Sequence, residues 1–346
     1  MKILISGGAG FIGSAVVRSA ISRGDTVINV DALKYSGNLK NLQKIKNNKN
    51  YIFEHADICN LKEMQRIIKE YEPDSVMHLA AESHVDRSID GPEIFINTNV
   101  IGTFNLLEAT KDYWFSIGKP KDFRFLHVST DEVYGSLGPK GKFTEETPYN
   151  PRSPYSASKA ASDHLVRSWG ETFELPILIT NCSNNYGEYQ FPEKLIPTII
   201  INALAGNSLP IYGNGENIRD WLFVDDHINA LLLVLDKGTP GRTYNIGADN
   251  ELTNLEIVKK ICSILDNQYT RVTPYAELIS FVEDRPGHDK RYSIDSTRIR
   301  SELGWKPHVS FSAGLEKTVQ WYINNQNWWG PLQKIHSVKA RLGSGK

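Results

Sequence analysis

An excess of charge of either sign is missing from this sequence. Its 346 residues carry 39 lysines and arginines against 40 aspartates and glutamates, a formal net charge of −1. No global field recruits nucleic acid or an anionic membrane, so an anionic ligand has to be held by local cations. Cysteine is scarce. Cys59, Cys182 and Cys262 are scattered and odd in number, so neither a disulfide framework nor a zinc site is indicated; reduced, buried thiols fit a reducing cytoplasm. No apolar run approaches the ~20 residues of a spanning helix. The opening MKILIS reads as a strand, without the basic region, apolar core and cleavage site of a leader, and a cytosolic protein is expected. Repeats and low-complexity tracts are absent. His78, His84 and His127 lack ligand spacing on one helix, so no metal is assigned.

What is present is alternation. Short apolar runs at Lys2–Ser6, Thr26–Val30, Tyr51–His55, Ser75–Leu79, Phe123–Ser129 and Pro176–Asn181 read as strands. Helical patterns near Gly13–Arg23, Leu61–Tyr71, Pro92–Trp114 and Tyr155–Glu174 separate them, as in βαβ units with a parallel sheet. Past about Asn184 the chain turns rich in Pro, Gly and aromatics. DDHINALLLVLDK and RTYNIG then read as a helix and a strand returning to the first domain. The expected division is 1–184 plus about 222–250 for a nucleotide-binding domain, and about 185–221 plus 251–346 for a smaller, discontinuous α+β substrate lobe.

SGGAGFIGS follows the first strand and opens the first helix. Gly7, Gly10 and Gly13 make a variant of the dinucleotide fingerprint, allowing a tight turn and close approach to a pyrophosphate. Asp31 ends the second strand, where a carboxylate can accept from a ribose and repel a 2′-phosphate. That favours NAD over NADP, although Lys34 nearby tempers the preference; Asp57 is a weaker candidate at the adenine. In YSASK, Tyr155 and Lys159 share one helix face. The ammonium and a cationic nicotinamide would both favour the phenolate, making Tyr155 a base toward an alcohol. HVSTDEVYG sets Thr130, Asp131 and Glu132 just past a strand. In isolation such a triplet is usually a cap or a solvated turn. An elimination, however, needs an acid and a base together, and close carboxylates separate their protonation steps. Because neighbours on a strand point to opposite faces, the pair is expected in a turn or at a helix start.

GGAGFIGS, LAAESHVDRSI, STDEVYG, PYSASKAASDHLV, NCSNNYGEYQFPEKLIP, NGENIRDWLFVDDH and EDRPGHDKRY together resemble the extended short-chain dehydrogenase/reductase family. Within it they resemble the nucleotide-sugar 4,6-dehydratases that act on dTDP-glucose, from Met1 to about Leu342. The resemblance implies a Rossmann-type doubly wound α/β fold and a lyase that uses NAD. Tyr155 would take the C4 hydroxyl proton, Glu132 the C5 proton, and Asp131 would protonate the departing C6 hydroxyl, with Thr130 supporting Tyr155 and Lys159 completing the catalytic set. Hydride returns to C6, giving a 4-keto-6-deoxy sugar for deoxysugar synthesis, rhamnose being the usual destination. UDP- or CDP-glucose dehydration and C4 epimerisation are the alternatives, the last having no use for the carboxylate pair.

It also implies cofactor contacts from Phe11, Ile12, Ile58, Leu79, Ala80, Ala81, Ser83, Thr98 and Asn185. Arg219, Asp284, Arg285 and His288 would hold the diphosphate sugar. Asn184, Lys194, Leu195, Pro210, Ile211, Tyr212 and Asn254 would surround the nucleotide, with Ser83, Asp86 and Arg87 near cofactor or sugar. Relatives are commonly homodimers through the Tyr/Lys helix and its neighbour. Pro92–Trp114 suits that role, with Phe95, Val100, Phe104 and Leu107 as an apolar stripe that would serve equally as ordinary core. QNWWGP is expected to dock the C-terminal segment onto the core.

Overall fold

The computed structural model describes residues 1–335. The end of the family resemblance near Leu342 and the end of the second lobe lie outside them. Twelve strands are present among these residues: β1 Lys2–Ser6, β2 Thr26–Asp31, β3 Tyr51–His55, β4 Ser75–His78, β5 Arg124–Thr130, β6 Ile177–Cys182, β7 Asn184–Tyr186, β8 Leu209–Tyr212, β9 Ile218–Phe223, β10 Thr243–Ile246, β11 Glu251–Thr253 and β12 Ile279–Val282. Seven form one parallel sheet in the order β10-β6-β5-β4-β1-β2-β3. Its central strands are apolar and buried because helices cover both faces.

The chain runs from β1 outward to β3, then returns to place β4 on the other side of β1. That reversal opens a crevice at the carboxyl ends of β1 and β4, where ligands of doubly wound folds bind. The helix Val224–Lys237 packs against the helix Phe11–Ser22, and β10 closes the sheet beside β6.

A second layer is built on β11-β9-β7 and the pair β12-β8. Its core combines the helices Leu195–Leu204, Asn254–Gln268 and Phe311–Asn324. Trp328 and Trp329 are buried in that core, and Trp328 Nε1 donates to Asn41 Oδ1 at 2.8 Å, tying the C-terminal helix to the β2–β3 connection.

One expected helix is divided. Pro92–Trp114 is helical at Pro92–Phe95, takes a π turn at Ile96–Ile101, and resumes as Gly102–Ser116. The extra residue in that turn rotates the resumed helix about its axis. Asn99 is thereby buried, accepting from Glu82 N at 2.8 Å and donating to Glu82 O at 3.0 Å and Ser158 Oγ at 2.8 Å. The π turn divides the expected stripe between core and surface. Phe95 and Leu107 belong to the interior, Val100 is half-buried, and Phe104 is exposed along with Ile94, Ile96 and Ile101.

Candidate active site

The first helix opens at Phe11 with Gly10 as its cap and no side-chain cap bond, so its leading amides are left for a ligand. Gly7 sits at φ +76°, and a Cβ there would lie 2.6 Å from Ala80 N. On Gly13 it would lie 2.1 Å from Gly7 O. Both glycines are required by backbone that cannot retreat. Asp31 accepts from Ala9 N at 2.9 Å and Leu33 N at 2.8 Å; burial pushes its pKa up against those bonds. Lys34 is committed elsewhere, paired with Asp57 at 3.1 Å and donating to Thr98 Oγ1 at 3.2 Å. A cradle that one Cβ would fill, an uncapped helix start and a strand-end carboxylate fit a dinucleotide.

This crevice continues into a cavity of about 310 Å³, the size of a small-molecule site. It gathers every residue expected at the cofactor: Gly7, Gly10, Phe11, Ile12, Gly13, Asp31, Lys34, Asp57, Ile58, Leu79, Ala80, Ala81, Ser83, Thr98, Tyr155, Lys159 and Asn185. Thr130, Asp131, Glu132, Asn184 and Lys194 line the same space.

The chemistry-bearing end is set by two caps. Thr130 ends β5 and its Oγ1 accepts from Glu132 N at 3.3 Å, starting the 3-10 turn Asp131–Tyr134. The turn rescues both carboxylates from the opposite faces a strand would impose. Ser153 and Ser156 form a reciprocal cap with Pro154 at the first helical position, and the helix Pro154–Phe173 carries Tyr155 and Lys159 into the cavity.

Asp131 is buried and its Oδ2 has no partner among the described residues. Burial first, then the neighbouring Glu132 and Asp220, hold its pKa well above the carboxylate range. Glu132 is also raised, by burial, but Arg285, Arg219 and Lys194 oppose the shift. The pair is therefore asymmetric, with the proton favouring Asp131. Tyr155 differs from expectation: burial, Glu132 and Cys182 hold its phenol well above the ordinary value, while a hydrogen bond with Thr130 works the other way. Lys159 does not reverse this, because its ammonium donates to Val128 O at 3.0 Å and burial lowers its own pKa.

Of the expected sugar and nucleotide residues, Ser83, Thr130, Asn184 and Lys194 line the cavity and the others group beyond them. Asp86 joins two of them, accepting from Arg285 Nη1 at 3.0 Å and Tyr212 OH at 3.0 Å. Arg219 is buried over the Tyr292 ring at 4.3 Å and donates to Asp289 O. His288 Nδ1 lies 2.6 Å from Asp284 Oδ1, and burial with the two arginines lowers its pKa to about 4. Lys194 Nζ donates to Ser83 O at 2.9 Å. Asn254 opens its helix, its amide donating to Asn217 O.

Two expected contacts are placed differently. The Ile211 side chain is buried in the second core and Leu195 packs against that core, because alternate residues of β8 and the first turn of the helix Leu195–Leu204 face inward. Arg87 lies over the Tyr35 ring at 3.9 Å. Sequence reasoning missed Tyr35, Phe191 and Glu193. Tyr35 OH donates to Glu193 Oε1 at 2.8 Å, and Phe191 and Glu193 line the cavity. The aromatic content of KYSG and YQFPEK was the available signal.

A parallel sheet reversing at β1 and β4, a glycine cradle and a buried Tyr/Lys helix define a Rossmann-type dehydrogenase/reductase scaffold of the extended kind. Residues 4–318 match the family model described as GDP-mannose 4,6 dehydratase, and the chain belongs to that family. It is 54% identical over 359 residues to the dTDP-glucose 4,6-dehydratase of Escherichia coli, covering 99% of each chain. The crystal structure of dTDP-glucose 4,6-dehydratase from Bacillus anthracis in complex with NAD superposes with a TM-score of 0.86 at 46% identity, covering 96% of this chain and 99% of that one. UDP-glucose 4-epimerase from Thermotoga maritima shares the fold at 32% identity and a TM-score of 0.83, covering 94% of this chain and 99% of that one.

Proposed function

We propose that the chain is an NAD-dependent hydro-lyase converting dTDP-glucose to dTDP-4-keto-6-deoxyglucose and water, a step of deoxysugar synthesis. The observation that carries the reading is the Asp131/Glu132 pair, side by side in one cavity and unequal in proton affinity. An epimerase working only at C4 needs no such pair.

Asp31, the glycine cradle and the first helix would hold NAD, with Tyr155 and Lys159 at its reactive end. Bound NAD supplies the acceptor and later the donor of one hydride, and its positive ring supplies the field that favours the Tyr155 phenolate. Tyr155 removes the C4 hydroxyl proton, with Thr130 beside it. The resulting ketone acidifies C5–H, which Glu132 abstracts. Asp131 gives its proton to the C6 hydroxyl, which leaves as water; the hydride returned to C6 and the proton returned by Glu132 to C5 then give the 4-keto-6-deoxy sugar. Arg219, Arg285 and Lys194 offset the diphosphate charge that a nearly neutral chain cannot offset globally. Asp86 holds Arg285 toward this group.

The two layers support a division into 1–184 plus about 222–250 and about 185–221 plus 251–346. Ile94, Ile96, Ile101 and Phe104, exposed around the π turn, support a homodimer through this helix and its neighbour. No described helix is long and apolar enough to cross a membrane; a cytoplasmic site belongs to the same reading.

Incubation with dTDP-, UDP-, CDP- and GDP-linked sugars tests the function. The expected result is a 4-keto-6-deoxy product from dTDP-glucose without net NADH. Steady release of NADH, or a 4-epimer with no loss of water, contradicts it.

A further inference from the structure

Behind the cavity lies a charged group that the proposed reaction does not use. Asp163 is one helical turn past Lys159 and fully buried. Its Oδ1 is 3.0 Å from His127 Nε2, while Oδ2 accepts from Ser129 Oγ at 2.8 Å and Tyr149 OH at 2.9 Å. Lys159 Nζ lies 3.4 Å from the same His127 Nε2. A proton on Nε2 directed at Asp163 leaves Nδ1 as an acceptor, and Nδ1 has no partner among the described residues. An unfilled acceptor costs less than an unfilled donor, so this tautomer satisfies the ring best.

A buried anion is expensive unless paired, and neutral side chains could tie these elements together at lower cost. We propose that Asp163 is a positioning residue whose carboxylate, acting across His127, is the counter-ion that keeps Lys159 charged and in place. This rests on the proposed reaction, in which Lys159 stands as an ammonium beside Tyr155 at the reactive end of NAD.

The titratable groups around Lys159 favour the assignment. From β4 comes His78, from β5 His127, from β6 Cys182, and from its own helix Tyr155 and Asp163. Burial lowers His78, His127 is lowered to about 4, Cys182 is pushed up to about 12, and Tyr155 is held as a phenol. Asp163 is instead lowered, with His127, Lys159 and Ser129 overcoming its burial. Before NAD binds, it is the one of these groups carrying negative charge at neutral pH, and it is first among those raising Lys159 against burial. Arg167 stands one step beyond, donating to Tyr149 OH at 2.9 Å.

Asp163→Asn removes the charge at nearly constant shape. Turnover of dTDP-glucose should then lose its alkaline limb earlier, the limb moving down by about 1 pH unit or more. Tyr149→Phe removes a hydrogen bond from the same carboxylate without removing charge, and should leave the limb in place. A profile for Asp163→Asn that is lowered alike at every pH overturns the proposal, since that is what a merely structural role gives. Should Asp163→Asn fail to fold, the thermal midpoints of Lys159→Met and Lys159→Met/Asp163→Asn decide. The double variant should melt higher, because the stranded carboxylate is gone; a double variant no more stable than the single one overturns the proposal. Those midpoints need no activity, so they separate this idea from failure of the proposed reaction, which would show as wild-type protein inactive at every pH.

Discussion

At the residue scale the decisive contrast is between two neighbours with the same functional group. Asp131 has an orphaned oxygen and only Arg219 among the cations opposing its burial, whereas Glu132 lies in the field of Arg285, Arg219 and Lys194. Glu132 must be ionised to act, and its pKa is raised, so the acid limb of turnover should fall above the ordinary carboxylate range of about 4. Asp131→Asn should lower kcat by roughly 10²- to 10⁴-fold, the usual worth of a general acid. The same change should raise the thermal midpoint. An acid whose folded pKa lies above its unfolded value destabilises increasingly as pH rises from the unfolded to the folded pKa, so the gain should be larger at pH 8 than at pH 4. Calorimetry at both values checks the sign; an equal or larger gain in acid would contradict the assignment of Asp131 as a protonated group.

At the element scale, Gly13→Ala drives a Cβ into Gly7 O and should abolish co-purification of NAD while leaving most of the sheet intact, measured by absorbance of the released nucleotide. Asn99→Ala strips both backbone groups of Glu82 and should cost about 1–3 kcal/mol in urea unfolding. The parallel strands and the turn holding Asp131 and Glu132 were legible, because continuous apolar runs and the period of a strand leave few other solutions. The π turn was not, since an inserted residue leaves no mark in an apolar pattern. Nor were the Tyr35–Glu193 bond or the His127–Asp163 group, which join residues far apart in the chain. The position of Arg219 and Arg285 beside Glu132 depends on the packing of β8 and β9, which short, mixed sequences such as LPIY do not specify. The inward face of Ile211 is one example.

For the whole molecule, Ile101→Glu places a charge among Ile94, Ile96 and Phe104 and should yield a monomer in sedimentation without loss of the folded state. A dimer that survived it would move the interface elsewhere. The proposed reaction is a closed cycle, in which one hydride leaves C4 and returns to C6 within a single protein. dTDP-glucose carrying deuterium at C4 tests it most directly. A closed cycle predicts a 4-keto-6-deoxy product with the deuterium at C6 and none lost to the medium. Deuterium retained at C4, or released into free nicotinamide cofactor, would contradict it.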